Sequence, residues 1–159
     1  MDQLDVHFET LPPMRVASFW GFGEQPEVSA WEKLNAWAKP RGLLGNLDAH
    51  PIFGFNNPNP STGSPNYGYE LWLRVEPEVE PEGDMRTVEF EGGRFAVLRC
   101  EVPAGKYEVI PESWERLVAW VEDSKYRIGC KQCLERSAAF EAQGIEFALD
   151  LMLPVCEKT

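Results

Sequence analysis

The sequence predicts an α+β fold of two tandem, pseudo-symmetric β-α-β-β repeats with a ligand cleft between the halves. Three observations carry that expectation. The heptad "WEKLNAW" (31–37) returns as "WERLVAW" (114–120), with five of seven positions identical and Lys33 answered by Arg116. Each copy follows a strand-like run that opens on arginine, "RVASFWGFG" from Arg15 and "RFAVLRCEV" from Arg94. Two further strand-like runs follow each helix. They are "HPIFGFNN" (50–57) with "YGYELWLRV" (67–75), then "CKQCLERSA" (130–138) with "IEFALDLMLPV" (145–155).

Each element has a local physical reason. The first helix opens on Pro26, whose missing N–H costs nothing in a first turn, and on Glu27, which complements the positive helix terminus. Pro40 and Gly42 stop it. Ala30, Trp31, Leu34, Trp37 and Ala38 form one apolar stripe at helical spacing. The second helix is expected to begin after Pro111 and Glu112, with Ser113, Trp114, Leu117, Trp120 and Val121 as its stripe. The four helix tryptophans therefore read as core packing against the sheets. Repeat boundaries are expected near 6–75 and 87–156 within a single domain spanning 1–159. The acidic, proline-rich "EPEVEPEGDMR" (76–86) should be a solvated linker, and "NPNPSTGSP" (57–65) a flexible tip.

Composition narrows the function. Hydrophobic residues make up 43% of the 159-residue chain, enough for a real core. Net charge is -11, with 26 acidic against 15 basic residues, and no basic stripe appears. Phosphate backbones are bound by clustered Lys and Arg, so nucleic acid is not an expected partner. No apolar run is long enough for a membrane span, and the N-terminus lacks the basic and apolar regions of a signal peptide. A cytoplasmic chain with reduced cysteines is expected. The Cys130-x-x-Cys133 pair has no second paired spacing to complete a zinc site and leads into a strand rather than a helix. His7 and His50 are isolated, and no glycine-rich phosphate loop is present. Neither a metal nor a cofactor is expected.

The strand "YGYELWLRV" alternates. Tyr67, Tyr69, Leu71, Leu73 and Val75 should face the helices, which places Glu70, Trp72 and Arg74 on the other side. Trp72 and Glu70 then become candidate ligand contacts, against a competing reading of ordinary packing and a solvated acid. The matching positions in the second copy are Asp150 and Met152. Phe55 and Trp20 are candidate further walls.

Taken together, "FWGFG" (19–23), "YELWLRV" (69–75), "LVAW" (117–120), "CLERS" (133–137) and "LDLMLPV" (149–155) resemble the GyrI-like small-molecule-binding family. These are stand-alone relatives of the effector-binding domains of AraC-type and MerR-type multidrug regulators. The resemblance runs from about Arg15 to Val155. It implies a tandem β-α-β-β (SHS2-like) fold whose cleft takes apolar, often cationic aromatic molecules. Regulators in the family add a helix-turn-helix segment, and this sequence has no room for one. The family's signature carboxylate corresponds to Glu135 in Leu134-Glu135; an aromatic Tyr two positions later is replaced here by Ser137. Some GyrI-like proteins hydrolyse cyclopropane-bearing alkylating natural products, which would make Glu135 a general base or water-orienting group. A gyrase-inhibiting, protein-partner role is a further implication. The residues themselves support attention to Glu135, because a carboxylate in an apolar strand is costly unless paired or solvated. Arg136 should point to the opposite face. The competing reading is an exposed edge-strand Glu in a surface pair.

Overall fold

The computed structural model describes residues 4–139 and 143–157. Nine strands and two helices follow one another among them. They are β1 (Val6–Leu11), β2 (Met14–Gly23), α1 (Pro26–Ala38), β3 (Ile52–Asn56), β4 (Tyr67–Val75) and β5 (Arg86–Phe90). After these come β6 (Gly93–Pro103), α2 (Val109–Glu122), β7 (Tyr126–Ile128), β8 (Leu134–Ala138) and β9 (Ile145–Glu157). The chain forms two compact units. One, the middle unit of the sequence, is Pro13–Glu91; the other, the outer unit, joins residues up to Pro12 with those from Gly92 onward.

In the middle unit the sheet order is β3-β4-β2-β5, antiparallel throughout. Helix α1 lies against one face. Its Ala30, Leu34 and Ala38, spaced one turn apart, are fully buried with Ala17, Phe19, Ile52, Tyr69, Leu71, Leu73 and Val75. Trp31 and Trp37 flank this core, as packing residues would. The turn from β2 into α1 is tight enough that a Cβ on Gly21 would meet the Pro26 carbonyl oxygen at 2.3 Å, so only glycine fits there. The α-helix ends at Ala38 and is followed by a 3-10 turn through Pro40, closed by Gly42 at φ 69°.

The outer unit has β6 between β1 and β9, with β8 on the far side of β9 and β7 pairing with the end of β9. Leu117 and Val121 of α2 are buried with Ala96, Leu98, Cys100, Val102, Leu151, Leu153 and Val155. Trp114 and Trp120 pack at the margin of this core. Helix α2 starts at Val109, earlier than the position after Glu112. Pro111 falls in its first turn, where the lost N–H has no intrahelical acceptor in any case.

Two boundary expectations change. Strand β1 does not belong with the repeat that follows it; it pairs with β6, where Val6 and Phe8 add to the α2-side core. Strand β5 likewise pairs backward with β2. The 76–86 segment is mostly exposed but is anchored to the middle unit at two points. Arg15 donates two hydrogen bonds to the Val79 carbonyl, at 2.9 and 2.7 Å, and also pairs with Glu89. Val79 packs on the α1 core and Met85 is buried in it. Met85 leaves water while the carboxylates around it stay exposed, so the anchor does not cost the acidic residues their solvation.

Candidate ligand-binding site

Strand β4 alternates as its sequence requires. Tyr69, Leu71, Leu73 and Val75 join the α1 core, and Glu70 and Trp72 project from the opposite face. Four of the predicted site residues meet there. In register, Glu70 stands between Trp20 of β2 and Phe55 of β3, and Trp72 between Ser18 and Phe53. The Trp72 ring meets Phe55 edge-on at 4.9 Å and Phe90 at 5.5 Å.

Glu70 is only 3% exposed. Burying a carboxylate costs several kcal/mol unless donors replace its water, on the order of one hydrogen bond per lone pair. They do. Ser18 Oγ donates at 2.6 Å and Trp72 Nε1 at 2.7 Å to one oxygen, and Asn57 Nδ2 at 3.0 Å to the other. The Arg86 guanidinium adds a charge at 3.8 Å. This network locks the Trp72 indole in one orientation, because rotating it would strip a buried carboxylate of a donor. Ser18, Asn57, Arg86 and Phe90 escaped the sequence reading. Ser18 carried a weak signal, a hydroxyl in an apolar strand two residues from Trp20; the other three arrive from a loop and from β5, which local patterning does not connect to β4.

In the outer unit the predicted residues divide between two faces. Asp150 and Met152 lie on the face away from α2. Met152 is buried, paired in register with Val97 and Leu134. Asp150 is buried and doubly paired: Arg99 Nε reaches one oxygen at 2.7 Å, and Arg136 Nη2 the other at 2.9 Å. Arg136 also clamps Glu9 of β1 with two bonds of 2.9 and 2.8 Å. The Arg136 bonds hold the Glu9 carboxyl down at about 2, against an opposing push from partial burial and with help from His7. Desolvation works against the Arg136 charge, and its two carboxylate partners more than restore it. The protein itself thus supplies the cations for Asp150.

Glu135 takes the other face. It is opposite Leu151 in register, on the α2 side, half-buried, and accepts a hydrogen bond from Trp114 Nε1 at 3.0 Å. Its charge is felt nearby. Burial raises the Cys133 thiol, and Glu135 raises it further. Cys100 is raised first by burial, opposed by a bond with Ser113, and again by Glu135. Arg136 points away, as strand alternation demands. Cys130 is exposed and Cys133 half-buried, both as free thiols. Among the described residues no group of three or more His, Cys, Asp or Glu is placed to hold a metal ion, and no helix is long and apolar enough to cross a membrane.

Each unit packs one helix against one face of an antiparallel sheet, which places the chain in the α+β class. The chain belongs to the GyrI-like family: the model described as "GyrI-like small molecule binding domain" matches residues 4–155. Among curated proteins none matches the sequence. Solved structures share the fold. The EcmrR C-terminal domain superposes with a TM-score of 0.72 at 16% identity, over 99% of this chain and 100% of that one. A hydrolase from Listeria innocua gives 0.66 at 16% identity, over 98% and 94%. SAV2435 bound to tetraphenylphosphonium gives 0.62 at 9% identity, over 96% and 94%. In the EcmrR–DNA complex the match covers 58% of the EcmrR chain.

Proposed function

We propose that this domain captures a hydrophobic, cationic aromatic molecule, and that Glu135 supplies the complementary charge. The observation that carries the reading is the position of that carboxylate. It sits half-buried on the α2 side of its strand, where it accepts a hydrogen bond from the Trp114 indole N–H at 3.0 Å. A carboxylate half withdrawn from water is less screened than an exposed one, so a lipophilic cation placed beside it would gain more than it could in water. The indole adds a ring face for cation–π contact. The tetraphenylphosphonium carried by SAV2435 supports the ligand class.

The test is calorimetric titration with tetraphenylphosphonium, with neutral triphenylphosphine oxide as the control. Glu135→Gln keeps an oxygen for the Trp114 bond and removes only the charge. Affinity for the cation should fall at least about tenfold, roughly 1.4 kcal/mol, while the neutral control changes little. Equal cation affinity in the variant would refute the assignment. A second reading, in which Glu135 orients water for hydrolysis, draws on the Listeria innocua hydrolases of the same fold. It requires product formation from an electrophilic cyclopropane substrate that Glu135→Gln abolishes.

A further inference from the structure

The middle unit carries a second feature of a different chemical character. An open recess of about 460 Å³ is lined by Trp20, Lys33, Asn57, Pro58, Asp84 and Arg86. That volume lies within the range that holds small organic ligands, roughly 300–1,000 Å³. We propose that this recess is a binding site for a flat aromatic ring bearing one carboxylate, stacked on Trp20 and held by Arg86 and Lys33.

Trp20 is the platform. It is a large apolar side chain left 43% exposed, where a core residue would be covered. It is nevertheless fixed. Its Nε1 donates to the Asn57 carbonyl at 2.7 Å, and its ring stacks on Phe22, itself exposed, at 5.7 Å. The Asn57 end is pinned in turn. Asn57 N donates to the Gly68 carbonyl at 2.8 Å, and Gly68 N to the Pro58 carbonyl at 3.0 Å. An aromatic surface held this way loses little freedom on stacking with a ligand, which is what makes such a contact productive.

The cations set the sign of the partner. Lys33 Nζ donates to the Trp20 backbone carbonyl at 2.8 Å, which anchors its ammonium in the lining of the recess. Its distance to Asp84 is 3.9 Å, and the Asp84 side chain is 90% exposed and largely hydrated. Arg86 is 67% exposed and stands 3.8 Å from Glu70. Both separations are too long for hydrogen bonds, so neither carboxylate takes the short, directed bonds that a guanidinium or ammonium can offer. Glu70 meets its own needs through Ser18, Trp72 and Asn57. A ligand carboxylate entering over Trp20 would receive the bidentate Arg86 contact that the protein leaves unmade. A cationic ligand would instead meet both Lys33 and Arg86 in the lining, against the single, largely hydrated carboxylate of Asp84. The site therefore selects the charge opposite to that proposed for Glu135, and it does not rest on that reading.

The experiment uses three probes of one shape: 2-naphthoate, 2-naphthylmethanol and 2-naphthylmethylammonium. Binding is followed by calorimetry and by the Trp20 indole N–H resonance, assigned through Trp20→Leu. Saturable naphthoate binding, at least about tenfold tighter than for either analogue, is expected, with a shift of that resonance. Arg86→Gln should remove the preference, Arg86→Lys should restore part of it, and Trp20→Leu should abolish binding of all three. Circular dichroism melting establishes that each variant is folded; Arg86 and Trp20 are both surface-facing. No saturable binding to the wild type, equal affinity for the ammonium probe, or a preference that survives Arg86→Gln would each overturn the proposal.

Discussion

The acid stability of the outer unit should depend on Glu9, and the structure gives both the sign and the size. The Glu9 carboxyl is held at about 2 in the folded protein, mainly by the two Arg136 bonds, whereas its ordinary value is 4.5. A depressed carboxyl is a stabilising group: the folded state prefers the ionised form more than the unfolded chain does. Its contribution is complete above pH 4.5 and is lost as pH falls toward 2. The full difference would correspond to roughly 3 kcal/mol at ~1.4 kcal/mol per unit. Glu9 is 29% exposed, and solvent screens part of that. About 1–2 kcal/mol is the working expectation. Urea denaturation of the wild type and Glu9→Gln, followed by circular dichroism from pH 7 to pH 2.5, measures it. The wild type should be more stable by that amount at pH 7, and the gap should shrink below pH 4.5 to about a quarter of its neutral value at the acid end. A difference that stays constant across the range, or widens in acid, would refute the argument, because a neutral acid and its amide place almost the same demand on Arg136.

Further expectations follow from the Glu70 network and from the half-buried Glu135. Ser18→Ala removes the shortest donor to Glu70 and should cost about 1–3 kcal/mol in denaturant midpoint analysis, the desolvation penalty of an acceptor left short of a bond. Treatment with iodoacetamide near pH 8 should alkylate exposed Cys130 well before Cys133, and Glu135→Gln should accelerate the Cys133 reaction selectively, because the thiol then loses the neighbouring negative charge. Peptide mapping by mass spectrometry reads both rates; an unchanged Cys133 rate would show that the Glu135 field does not reach it.

Local pattern was sufficient for the helices and for β4, because their periodicities are properties of a few consecutive residues. The α1 stripe of Ala30, Leu34 and Ala38 buries as a helical repeat must, and the odd-numbered positions of β4 face it. The motifs and their order were likewise enough to reach the GyrI-like family. The exchange of edge strands was not legible. Nothing in "VHFETL" or "RTVEF" says which partner it will find; β1 joins β6 across more than eighty residues of chain, and β5 turns back to β2.

The candidate site divides along the same line. That Glu70 and Trp72 share a face, and that Glu135 and Arg136 do not, is settled by the two-residue period of a strand. Which carboxylate carries arginines and which lies under a helix depends on contacts between segments far apart in sequence. Arg86 approaches Glu70, Arg99 and Arg136 neutralise Asp150, and Trp114 covers Glu135. Secondary structure is encoded by neighbours along the chain, so the sequence alone could determine it. The electrostatic setting of an acid is encoded by neighbours in space, and only the folded sheet brings those together.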